Sequence, residues 1–146
     1  MSNPQSSLPL IIYVDAADKA IYEDKDLWPS SGPNKPSNPE KFLAAMAYGY
    51  KMNKRLKIVR PDNSFARGEY FQGDFLALMC AVAAAAEHSL DVLLDGKAVA
   101  SIAEEYAHGG ITLLGQQANS LPPGTLWDEF ESRLLARGPE EMSSRE

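Results

Sequence analysis

The sequence of 146 residues holds one cysteine, two histidines and no uncharged apolar run longer than twelve residues. A single cysteine excludes an internal disulfide. Its neighbours Leu78, Met79, Ala81 and Val82 give Cys80 the setting of a small hydrophobe rather than a nucleophile. That usage fits a reducing cytoplasm. The longest apolar run, "FLALMCAVAAAA" at 75–86, falls short of the ~20 residues that a bilayer span takes. The amino-terminal "MSNPQSSLPLIIYV" carries no basic segment and its apolar part stops at Asp15, so no signal sequence is expected. The expectation is a cytoplasmic protein that does not engage a membrane.

Catalytic signatures are equally scarce. Neither G-x-G-x-x-G nor G-x-x-x-x-G-K-[ST] occurs, and no G-x-S-x-G elbow accompanies the serines. No cofactor is indicated. "EEYAH" sets Glu104 and Glu105 four and three residues before His108, and a Glu-x-x-His pair on one helix can ligate a metal. One pair is not a site: a di-iron bundle needs a second pair, and a zincin needs His-Glu-x-x-His, which is absent. A metal-dependent enzyme using Glu105 and His108 is therefore an alternative, ranked below a structural role. In that role His108 sits near a helix C-terminus and complements its dipole, as His88 does beside Ser89. The balance is against an enzyme.

What is present is ordinary globular material, 45% hydrophobic and 23% charged, enough for one core. "PSSGPNKPSNP" at 29–39 holds four prolines and no large apolar side chain, and is read as a linker. It divides the chain into an N-terminal extension over 1–38, loosely attached or docked on a partner, a helical domain over 39–138 and a flexible tail over 139–146. Asn38 is expected to cap a helix running to about 53, with Pro39 in its first turn and Phe42, Leu43, Met46, Ala47 and Tyr50 on one face. The Ala-rich segment 72–88 is apolar on every side and is expected at the centre. A short helix at "LDVLL" follows. Helix 97–108 carries the stripe Val99, Ile102, Ala103 and Tyr106, and Gly109 with Gly110 is expected to end it. A last helix opens at Thr125 and ends at Gly138. The fold class expected is mainly α, a compact bundle of about five helices, with short strands near 10–14 and 55–59. "RLKIV" at 55–59 reads equally as extended chain before Pro61.

Charge is the one distribution that is not ordinary. The net charge is -6, yet residues 41–67 hold seven basic residues against one acid, Asp62, a local charge of +6. Within "YGYKMNKRLKIVR" at 48–60 there is no acid at all. Such segregation suits a cationic face that attracts phosphate or an acidic protein surface. The candidate anion-binding residues are Lys51, Lys54, Arg55, Lys57, Arg60 and Arg67. The plainer alternative is a solvated helix end followed by a loop.

Two stretches, "FLAAMAYGYKMNKR" at 42–55 and "IAEEYAHGGITLL" at 102–114, resemble the small helical proteins encoded beside bacterial DNA phosphorothioation genes, a phage-defence setting. The resemblance implies a non-catalytic accessory subunit that binds a larger protein of a defence complex, with DNA as a further partner of the basic face. The Pro-rich N-terminal segment and the C-terminal segment with Trp127 depart from that pattern. A structural homo-oligomer is the remaining alternative.

Overall fold

A computed structural model describes residues 7–33 and 35–118. The chain runs β1 (Ile11–Asp15), α1 (Lys19–Tyr22), α2 (Asn38–Lys51), β2 (Pro61–Arg67), α3 (Asp74–Glu87) and α4 (Gly96–Ala118), with 3-10 turns at Ala16–Asp18, Gly68–Tyr70 and Asp91–Leu94. The class is mainly helical, with four α-helices among the described residues rather than about five. "LDVLL" supplies a 3-10 turn, and the expected helix from Thr125 and the tail at 139–146 lie outside the described residues.

The two strands pair antiparallel, Ile11 opposite Arg67 and Asp15 opposite Pro61, with an irregularity between Ile12 and Val14. The strand expected near 10–14 is present. The one expected at 55–59 is not: strand geometry begins at Pro61, at the edge-strand start where a residue without an N–H is tolerated. Segment 55–59 uses its amides elsewhere, Leu56 donating to the Glu105 carbonyl at 3.1 Å and Val59 to the Asp15 carboxylate at 2.9 Å.

Helix α2 starts on a capping box. The Ser37 hydroxyl accepts from the Glu40 amide and the Glu40 carboxylate accepts from the Ser37 amide. Ser37, not Asn38, is therefore the cap. Asn38 instead donates its side-chain amide to the Phe65 carbonyl at 3.0 Å, tying α2 to β2.

The centre of the molecule belongs to α4, which buries Val99, Ile102, Ala103, Tyr106, Ala107, Ile111 and Leu114. Gly109 and Gly110 do not end this helix, which continues to Ala118. They let other chain segments approach. A Cβ on Gly110 would meet the Ala45 carbonyl and stand 2.7 Å from the Gly49 nitrogen, and one on Gly49 would meet the Tyr106 carbonyl. The α2–α4 crossing is thus a glycine-on-glycine contact, closed by the Lys54 carbonyl against Gly109.

The Ala-rich helix α3 lies at the side rather than the centre. It buries Met79, Val82 and Ala83 while Ala77, Ala81 and Ala85 face outward and Leu76 is half-buried. Alanine exposes little apolar area and is the best helix former, so an all-apolar stretch of this composition tolerates one wet face. The N-terminal segment is not loosely attached either: Ile12, Val14, Tyr22, Leu27 and Trp28 belong to the same core as Phe42 and Met46. Tyr22 packs on Phe65 with ring centroids 4.4 Å apart, and Lys41 caps the Tyr22 carbonyl at 2.8 Å beside the Trp28 ring.

Candidate functional site

The basic segment leaves the end of α2 and crosses α4 before entering β2. Three backbone contacts fix its path. Leu56 is held by the Glu105 carbonyl, and Val59 and Arg60 donate to one oxygen of Asp15 at 2.9 and 3.3 Å. Lys51, Lys57 and Arg60 are exposed and form no ion pair among the described residues. Tyr50, Met52 and Val59 are exposed among them, at 40%, 48% and 78%.

The six candidate residues do not share one environment. Lys54 is half-buried. Arg55 pairs with Glu105 at 2.6 Å and Glu87 at 3.5 Å, and its guanidinium lies over the Tyr106 ring 5.4 Å from the centroid, so its charge is spent within the fold. Arg67 lies at the far end of β2 from Arg60, about 20 Å away by strand rise, and is engaged by Glu69 at 2.7 Å. Lys51, Lys57 and Arg60 stay exposed along one segment, whereas Arg55 and Arg67 are engaged by acids.

Glu105 and His108 are turned to different partners. Glu105 serves Arg55, while His108 Nδ1 lies 2.5 Å from Asp18 Oδ2 and His108 Nε2 lies 3.7 Å from Asp15 Oδ2. No group of three or more His, Cys, Asp or Glu side chains among the described residues is arranged to hold a metal ion. The helix-dipole account of His108 also fails, because α4 runs well past it. His108 is instead set between two buried carboxylates, Asp15 and Asp18, at 4% and 3% exposure. His88 does close a helix, in left-handed geometry after α3.

Burial and hydrogen bonding push the acids of this seam in opposite directions. Burial works against the charged form of Asp15, but the amides of Ala17, Val59 and Arg60 and the His108 imidazole outweigh it and hold the carboxyl below its usual range. Burial dominates at Asp18 and raises it to about 6 against the opposing pull of His108. One turn before His108, burial raises Glu104 to about 7, although the Tyr13 amide donates to it at 2.8 Å. Burial likewise raises the Cys80 thiol, in keeping with a packing role.

The seam residues Asp15, Asp18 and Glu104 were not singled out from sequence as a site. The available signal was "VDAAD", two acids three residues apart directly after an apolar strand, which a surface turn would explain equally well. No helix of the described residues is long and apolar enough to cross a membrane. No family model, curated protein or solved structure matches the chain.

Proposed function

We propose that the chain is a non-catalytic accessory subunit that docks on an acidic surface of a larger partner protein through the segment 51–60. The observation that carries this reading is the loop itself, whose backbone is fixed at Leu56, Val59 and Arg60 while Lys51, Lys57 and Arg60 stay exposed. A pre-ordered loop loses little conformational entropy on binding. The exposed Tyr50, Met52 and Val59 among the cations favour a protein partner over a phosphate backbone, since interface cores combine aromatic side chains and Met with a polar rim. The setting in a bacterial anti-phage defence complex rests on the two short stretches that resemble phosphorothioation-associated proteins. A catalytic role is disfavoured because both imidazole nitrogens of His108 face carboxylates and Glu105 is occupied by Arg55.

The test is a Lys57→Glu, Arg60→Glu double variant, co-purified from the native host beside the wild type. The expected outcome is loss of the partner with a melting temperature within a few degrees of wild type, because both side chains are exposed. Undiminished co-purification would overturn the proposal. Fluorescence anisotropy on duplex DNA separates the nucleic-acid alternative, for which four phosphate contacts predict a log affinity against log salt slope of about -3.6. Elution of the purified chain well above its 16.0 kDa monomer mass would favour the homo-oligomer.

A further inference from the structure

We infer that Asp15, His108 and Asp18 form a proton-operated latch, closed when the imidazole carries both of its protons, that sets how firmly residues 57–60 are held against the body of the fold. The inference is geometric. In the imidazolium, Nδ1–H donates to Asp18 Oδ2 at 2.5 Å and Nε2 stands 3.7 Å from Asp15 Oδ2, an ion-pair separation. That same Asp15 oxygen accepts the amides of Val59 and Arg60. Once Asp18 has lost its proton, above about pH 6, one cation balances two buried carboxylates, and Asp15 among them grips the loop.

Release of the Nε2 proton to solvent changes the balance. The neutral ring keeps its Nδ1–H on Asp18 but turns a lone pair toward Asp15. Two buried carboxylates then flank a neutral ring, and the repulsion between them is weakly screened away from water. The surrounding groups do not replace the lost charge. On the same helix, Glu104 bonds the Tyr13 amide and adds a further acid, while Glu105 is held by Arg55. From α1, Lys19 is engaged by Asp62 and Ser64 of β2, and the buried Tyr22 phenol near Asp18 is neutral. From the loop, Arg60 offers Asp15 its backbone amide, and its carbonyl accepts from Ala16 at 2.8 Å. The anchors at Leu56 and Lys54 lie outside the latch, so opening loosens 57–60 and leaves 54–56 in place.

The consequence for partner binding rests on the docking role proposed above, whereas the latch is a property of the chain alone. The experiment is amide hydrogen exchange by NMR on the full chain from pH 5.5 to 8.5, corrected for intrinsic rates, with Ala45 and Met46 in α2 as internal references. A nitrogen-15 titration of the His108 ring accompanies it. Protection at Val59 and Arg60 should fall relative to the references by about five- to tenfold, the worth of one hydrogen bond, with the midpoint of the imidazole. In a His108→Gln variant the ratio should be flat. A pH-independent ratio in the wild type, or a midpoint distinct from that of the imidazole, would overturn the latch. The wild-type comparison decides the matter even if the variant does not fold. Failure of the charge-reversal pull-down alone would remove the docking role and leave the latch intact.

Discussion

At the scale of single residues, Glu104 makes the clearest statement about pH. Its folded pKa of about 7 lies above the ordinary 4.5, so the folded chain holds this proton more tightly than the unfolded one. The resulting stabilisation is present at low pH and is lost as pH rises from about 4.5 to about 7. Its full size is at most about 3 kcal/mol, reduced by screening of a half-buried group. Asp18 acts in the same direction; Asp15, held below its usual range, acts oppositely and loses its contribution as the medium becomes strongly acid. We predict that Glu104→Gln stabilises the protein by about 1 to 3 kcal/mol at pH 8.5 and little at pH 4.5, read from urea midpoints at the two pH values. Equal effects at both would show that Glu104 titrates as an exposed carboxyl. None of this was legible in the sequence. "EEYAH" drew attention to Glu105 as a ligand, whereas the register of α4 gives Glu105 to Arg55 and turns Glu104 toward β1.

Among the elements, the crossing of α2 and α4 decides the packing. Gly→Ala inside a helix ordinarily gains about 1 kcal/mol of propensity. Gly110→Ala should do the reverse here and cost about 1 to 3 kcal/mol net, because the added methyl overlaps the Ala45 carbonyl. Thermal melting followed by circular dichroism would measure it, and a raised melting temperature would contradict the close crossing. Helix α3 allows a paired test. Val82→Asp should abolish soluble folding, since it buries a charge without a partner, while Ala85→Lys on the exposed face should shift stability by no more than about 0.5 kcal/mol. The apolar stripe of 99–106 was readable from periodicity, and the start of α2 was readable to within one residue, with the cap at Ser37 rather than Asn38. Two features were not. A Gly pair signals a helix end or a close crossing with equal force, and an unbroken alanine run does not say which of its faces is wet.

Over the whole molecule, two organising facts stand together. The N-terminal strand, α1 and Trp28 complete the core of the helical body across the Pro-rich segment, so residues from Ile12 to Leu114 build one hydrophobic cluster. A linker rich in proline hid that continuity, because local composition reports how a segment is built and not what its flanks touch. The charge segregation was legible and survives in the fold as an exposed, backbone-fixed loop, although Arg55 is consumed by Glu105 and Glu87 and Arg67 lies elsewhere. The central claim is that this loop is the docking surface for an acidic protein. Photo-cross-linking in the native host tests it most directly, with a benzophenone amino acid in place of Val59, which is 78% exposed, and a control at Ala85 on α3. The account predicts an adduct from position 59 to one protein with an acidic surface, absent from position 85 and lost when Lys57→Glu and Arg60→Glu are added. An adduct from 85 alone, or one at 59 that survives the charge reversal, would contradict it.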